Sequence, residues 1–234
     1  MTDDQREEPL LRMSTNEGAS VYDLRFGERE RSAKEAVWRE IGGFLQRRYI
    51  PTDAKVVDIG TDTGYFIRNI AAAERWASDL RDTSASMPAD VRFIQADGLA
   101  LAEFAPEDYF DIAFMSNYLE HLDSAESVIE QLRVAYRLLR IGGRVIVLQP
   151  NIKLVGPAYW DFIDHRVPLT EESLSEAAAF AGFERQEVIR RFLPYSVKGR
   201  LPAHPLLVKA YLHFPPAWRL LGKQTLYVGK RTRR

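Results

Sequence analysis

The stretch "VVDIGTDTGYF", residues 56–66, decides how this chain folds. With Lys55 before it, "KVVDI" is a short, β-branched apolar run, the signature of a buried strand. It runs into Gly60-Thr61-Asp62-Thr63-Gly64, where a glycine at each end allows tight turning and close backbone approach. Parallel α/β sheets meet ligands at the carboxyl ends of their strands, where strand order switches. A brief helix opening at Gly64 and running through "YFIRNIAAA" would present free N–H groups that favour a carboxylate or phosphate. Asp62 is the anomaly, a carboxylate in mid-loop. Aspartate is among the few non-glycine residues that tolerate positive φ, so the turn survives it.

The pattern continues in both directions. Upstream, Val37, Ile41, Phe44 and Leu45 fall on one face of a helix over 28–48, which Pro51 ends. Downstream, "RWASDL" (75–80), "VRFIQ" (91–95), "FDIAFMS" (110–116) and "RVIVLQ" (144–149) read as strands. "DSAE" (123–126) fits a capping box with Asp123 as N-cap, opening a helix that Gly142-Gly143 end. Thr170 caps "EESLSEAAAFA", which stops at Gly182. "FERQEVIRRF" (183–192) and "QTLYVGK" (224–230) complete seven strands. Strands alternating with helices predict an α/β fold with a mostly parallel sheet covered on both faces. Residues 1–20 read as a loose tail and 21–234 as one domain. Within it, 21–50 form an N-terminal lid and helix, and 192–223 an insertion between the last two strands.

Composition narrows the function classes. With 234 residues, 46% apolar, the chain can bury a substantial core. It has no cysteine, which excludes disulfides and thiolate metal sites and points to a reducing, cytoplasmic setting. Its first twenty residues are polar and acidic, unlike a secretory signal, and no apolar run approaches the roughly 18 residues of a membrane span. The net charge of −1 conceals an asymmetry: 188–234 hold eleven Lys or Arg and no Asp or Glu. That is either a solvated basic face or a surface that attracts anions, such as a phosphorylated substrate or an acidic lipid headgroup.

A dinucleotide site wants G-x-G-x-x-G, which is missing here. The loop has instead the form D-x-G-x-x-x-G, with Asp58 inside the strand. Asp79 ends the second strand, "QADG" follows the third with Asp97 and Gly98, and "FDIAFMSNYLEHL" spans the fourth. "LRVAYRLLRIGGRVIVLQPN" follows. In this order, from about residue 40 onward, the chain resembles the class I S-adenosylmethionine-dependent methyltransferases. The resemblance implies a Rossmann-like seven-stranded sheet whose last strand is antiparallel. It implies S-adenosylmethionine as cofactor and S-adenosylhomocysteine as product. Asp58, Gly60, Thr61, Asp62 and Gly64 would surround the methionine end. Asp79 and Leu80 would meet the ribose, Asp97 and Gly98 the adenine edge, and Asn117 and Tyr118 would close the site beside the methyl group. Asp62 would either pair with the ammonium of the cofactor or repel its carboxylate.

Methyl transfer to oxygen needs alignment, exclusion of water and removal of a proton, for which histidine is the natural base. His121 follows the fourth strand and His165 precedes the Thr170 helix; each is either that base or a packed loop histidine. His204 and His213 fall in the basic tail. Trp160 and Tyr195, with Tyr159 and Phe162, would wall an acceptor pocket, and Tyr22, Arg25 and Phe26 would close it as a lid. No carboxylate cluster matches a catechol-type metal pattern, so no metal is expected. "SNYLE" lacks the N-P-P-Y-like loop of amino methylation, and no nucleic-acid module accompanies the basic charge. The expected acceptor is a small molecule, most naturally a hydroxyl of a sugar, glycolipid or natural product, with an anionic group matching the basic tail. The proline-rich segment 192–223 either covers the acceptor pocket or rests on a membrane surface. The competing function is a methyltransferase-like protein that binds S-adenosylmethionine with lost or changed catalysis, for which Asp62 in the glycine loop is the argument.

Overall fold

The computed structural model describes residues 28–195 and 204–233, with side chains from residue 34 onward. Tyr22, Arg25 and Phe26, and the expected tail, lie outside the described residues. Seven strands form one sheet: β1 (Lys55–Ile59), β2 (Glu74–Asp79), β3 (Val91–Gln95), β4 (Phe110–Ser116), β5 (Leu139–Pro150), β6 (Glu184–Ile189) and β7 (Gln224–Lys230). Their order is β3-β2-β1-β4-β5-β7-β6. The first five pair in parallel, and β7 lies antiparallel between β5 and β6. The order therefore switches between β1 and β4, which sets the crevice at their carboxyl ends.

Side-chain alternation divides the core in two. Ala113 and Met115 of β4 face the helices α2 (Ala125–Leu138) and α4 (Glu171–Phe180), a short helix α3 (Ile152–Val155) lying between these in sequence. Ile112 and Phe114 face α1 (Glu28–Tyr49) and the pair α5 (Pro205–Leu212) and α6 (Pro215–Leu221). The described part of the proline-rich segment completes this second layer. Trp218 of α6 packs edge-on against Phe44 and Phe192, with ring centres 5.9 and 5.3 Å apart. Leu206, Leu207, Phe214 and Leu220 of the same segment stay exposed. Among the described residues, no helix is long and apolar enough to cross a membrane.

Three local expectations are corrected. The helix expected from Gly64 shrinks to one 3-10 turn, Ile67–Asn69, before β2 begins at Glu74. Phe66 stacks on Phe114, 3.6 Å between ring centres, and Asn69 donates from Nδ2 to Glu35 of α1 at 2.9 Å. The loop is thus pressed against α1, where a Cβ on Gly42 would sit 2.8 Å from the Asn69 carbonyl oxygen. The N-cap of α2 is Ser124, whose Oγ accepts from the Ser127 N–H at 3.2 Å, because Asp123 pairs with Arg166 instead. Finally, α2 ends before its glycines, at Leu138. The Arg231 guanidinium donates to the carbonyls of Tyr136 (2.9 Å), Arg137 (3.2 Å) and Leu139, taking up the last turn. Gly142 and Gly143 lie instead in the irregular start of β5.

Candidate active site

The β1–β2 end is built from carboxylates held by backbone N–H groups, a threonine hydroxyl and two cationic side chains. Gly60 (φ 70°), Asp62 (φ 53°) and Gly64 (φ 78°) all take left-handed conformations, so the loop turns as a glycine loop despite Asp62. The N–H groups of Gly60 and Thr61 both donate to the Ser78 carbonyl at 2.9 Å, tying the loop to β2. Thr61 donates its hydroxyl to the buried Asp58 carboxylate at 2.6 Å. Burial pushes the Asp58 carboxyl up to about 7, against that hydrogen bond and with repulsion from Asp79 and Asp62 adding to it.

Asp79 is gripped on both oxygens. Oδ2 accepts from the Asp62 N–H at 2.9 Å, and Oδ1 from Arg81 N (3.0 Å) and Nε (3.2 Å). Arg81 also donates from Nη2 to Asp62 at 3.0 Å, and Lys34 of α1 lies 3.6 Å from the other Asp62 oxygen. Leu80, 55% exposed, flanks this acid. Asp97 caps the next turn, accepting from the Leu99 N–H at 3.0 Å.

Tyr118 joins these two loops. A Cβ on Gly60 would lie 2.4 Å from its ring, and one on Gly98 2.2 Å from its hydroxyl, which donates to Gln131 at 2.9 Å. Both positions therefore need glycine for close packing. Asn117 has φ 48° and donates its N–H to Leu148 of β5 at 2.9 Å, which turns the chain sharply after β4.

Beyond that turn, His121 and His165 meet, 5.1 Å between ring centres. Their elements are tied together because the N–H groups of Arg166 and Val167 both donate to the Glu120 carbonyl, at 2.8 and 3.1 Å. His121 Nδ1 lies 3.0 Å from the Asp164 carbonyl, and His165 Nδ1 2.9 Å from that of Tyr159. Carbonyls only accept, so each neutral ring carries its proton on Nδ1 and its lone pair on Nε2. His165 packs against Tyr159, Phe162 and, more distantly, Tyr195. Tyr159 is wholly buried and donates to the Val167 carbonyl at 2.6 Å, while Trp160 is 55% exposed at the rim. Burial pushes the Tyr195 phenol up to about 12, and Glu120 adds to the effect. His213 binds the Lys209 carbonyl at 2.8 Å on the opposite face, and His204 is exposed, so neither joins this cluster.

Sequence reasoning passed over Glu120. It is 1% exposed, and burial pushes its carboxyl above the ordinary range. Oε1 lies 4.0 Å from His121 Nε2, and Oε2 has no hydrogen-bond partner. Gln149 lies near it and favours its charged form, yet neither amide atom of Gln149 reaches good hydrogen-bond geometry. The available signal was an acid inside the otherwise apolar turn "YLEHL".

This strand order, with β7 inserted antiparallel and the crevice at the ends of β1 and β4, defines the class I S-adenosylmethionine-dependent methyltransferase fold. A family model described as "Methyltransferase domain" matches residues 29–188, and the chain belongs to that family. S-adenosylmethionine is the methyl donor of this class. A search of curated proteins finds no match. Among solved structures, the chain resembles one from the Haloferax volcanii complex of the Trm112 methyltransferase activator with a methyltransferase. The identity is 17% and the TM-score 0.67, over 96% of this chain and 100% of that one. It also resembles an Archaeoglobus fulgidus S-adenosylmethionine-dependent methyltransferase, with 20% identity and a TM-score of 0.57 over 82% and 94% of the two chains. A third is a phosphoethanolamine N-methyltransferase from Haemonchus contortus holding S-adenosylhomocysteine. There the identity is 15% and the TM-score 0.56, over 82% of this chain and 52% of that one. At these identities the likeness shows the fold.

Proposed function

We propose that the protein transfers a methyl group from S-adenosylmethionine to a hydroxyl of a small molecule such as a sugar, glycolipid or natural product. The observation that carries this reading is the convergence of His121 and His165 beyond the end of β4, at the switch point that the glycine loop also borders. When bound, the cofactor supplies a methyl group made electrophilic by its positively charged sulfur.

The chain's residues fit such a ligand. Gly60 to Gly64 allow close backbone approach, and the hydroxyls of Thr63 and Ser78 are buried there without partners, as a polar ligand would require. Asp79 would accept from ribose hydroxyls and Asp97 from the adenine amino group, with Leu80 and Asn117 at their sides and Tyr118 holding the loops apart. An Nε2 lone pair of His121 or His165 would take the acceptor's proton. Trp160, Phe162 and Tyr195 would wall the acceptor, Tyr22, Arg25 and Phe26 would cover it, and the basic 188–234 region suits an anionic acceptor.

The alternative, a relative without catalysis, rested on Asp62. That carboxylate is engaged by Arg81 and Lys34, which supports retained binding. The test is calorimetric titration with S-adenosylmethionine, then S-adenosylhomocysteine release with a panel of hydroxyl acceptors. Micromolar binding is expected, with His165→Ala keeping affinity and losing turnover. A wild type that binds no cofactor sinks the reading.

A further inference from the structure

Glu120, His121 and His165 each bring one ligand-type atom to a common point, all within 4.8 Å of one another. We propose that these three side chains form a binding site for a divalent first-row transition cation. Three observations support this independently of composition.

The first is Glu120 itself. It is 1% exposed and one oxygen has no partner, and in its ionised form such a buried carboxylate costs several kcal/mol unless a positive group completes it. No lysine or arginine makes an ion pair with it among the described residues, and His121 Nε2 stands 4.0 Å from its other oxygen.

The second is tautomer. Both histidines spend Nδ1–H on a backbone carbonyl, and the Asp164 carboxylate lies 3.6 Å from His121 Nδ1 as well. Metal-ligating histidines are held in this way, the outer nitrogen donating to a carbonyl or carboxylate so that the inner one keeps its lone pair. A single catalytic base needs one such histidine. Two beside one buried carboxylate, with a ligand-type atom of each residue within 4.8 Å of the others, make a ligand set.

The third is chemical type and rigidity. Two imidazoles and one carboxylate with positions left open suit zinc, manganese, iron(II) or cobalt(II) better than calcium or magnesium, which favour all-oxygen shells. The His165 ring is braced by Tyr159 and Phe162, at 4.6 and 5.1 Å between ring centres. Ligands about 2.1 Å from an ion stand roughly 3–3.5 Å apart, so loading closes the trio by about 1 Å.

The role of the cation rests on the methyl-transfer reading, whereas its binding does not. An acceptor hydroxyl held at an open position becomes more acidic. With both Nε2 lone pairs on the cation, water replaces histidine as the acceptor of its proton, its oxygen bonds to the methyl carbon, and the carbon–sulfur bond breaks with its electron pair kept by sulfur. No redox change occurs.

The test uses untagged full-length protein stripped by a chelator and titrated with Co2+, followed by visible absorption and calorimetry. Parallel S-adenosylmethionine titrations of the same samples report folding and the other reading separately. One Co2+ per chain is expected for wild type and for His213→Ala. Glu120→Gln and His165→Ala should each weaken Co2+ binding at least tenfold while S-adenosylmethionine affinity holds. Absence of saturable Co2+, Mn2+ and Zn2+ binding by the wild type overturns the site, as does full affinity in both variants. Should a variant fail to fold, the wild-type titration still decides. Cation binding without cofactor binding would sustain the metal site and sink methyl transfer. Turnover indifferent to the chelator would overturn the Lewis-acid role.

Discussion

Asp62 and Arg81 form a 3.0 Å ion pair between the loops that follow β1 and β2, and the same guanidinium holds Asp79. The residue that interrupts the glycine pattern is therefore neutralised from within. Burial opposes charge on Arg81, but Asp79 and Asp62 outweigh it and hold the guanidinium above its ordinary value. Burial pulls Lys34 below its ordinary value, against the attraction of Asp62. Two cations share the task of balancing Asp62 and Asp79.

Asp62→Gly should leave S-adenosylmethionine affinity within about threefold of wild type. Arg81 and Lys34 already balance this carboxylate, so the cofactor meets little of its charge; for folding, glycine at φ 53° relieves about 1 kcal/mol of backbone cost while the lost pair contributed up to about 1 kcal/mol. The two effects nearly cancel. A tenfold gain measured by calorimetry would mean the carboxylate does oppose the cofactor, and the accommodation argued above would be wrong.

Asp79→Ala should be far more costly, weakening the same affinity by more than about tenfold. It removes the acceptor for the Asp62 N–H along with the expected ribose contact, a loss of one or two charge-assisted hydrogen bonds. Unchanged affinity would remove Asp79 from the binding site.

The sheet was legible because most strands carry their own apolar run; "KVVDI", "VRFIQ", "FDIAFMS" and "QTLYVGK" match the observed strands residue for residue, while the more polar β2 and β6 differ at their ends. Local chemistry also placed the Thr170 cap, whose hydroxyl accepts from the Ser173 N–H at 3.1 Å. Where the reading failed, a distant partner decided. Glu35 and Gly42 of α1 take up the loop after Gly64, Arg166 draws Asp123 away from α2, and Arg231 ends that helix before its glycines. Glu120 was missed for the same reason: the acid in "YLEHL" is a weak local signal, and its burial depends on β4, Gln149 and the His165 loop closing around it.

Asp58 sets a pH dependence. Its folded pKa, near 7, lies above the unfolded value of 3.8, so the folded state holds its proton more tightly. The contribution is fully present below about pH 4 and is lost as pH rises through 7, by an amount on the order of 4 kcal/mol. Urea unfolding at pH 5 and pH 8 should show Asp58→Asn losing less stability between the two than wild type. Equal losses would mean that Asp58 titrates normally in the folded protein.

Gly98 and Tyr118 should be coupled. An alanine Cβ at 98 would meet the Tyr118 hydroxyl at 2.2 Å and Gln131 Oε1 at 2.6 Å, so Gly98→Ala should cost about 1–3 kcal/mol of stability as the ring is displaced. The displaced ring also presses on Gly60, so cofactor affinity should fall with it. Tyr118→Phe alone deprives the buried Gln131 of its donor, a cost of about 1–3 kcal/mol. Combined, the two changes remove the clash with the hydroxyl, and the double variant should be more stable than the sum of the single losses predicts by about 1 kcal/mol. Additive losses in a denaturation cycle would mean that the strain at Gly98 lies with Gln131, and that Tyr118 does not link the two loops.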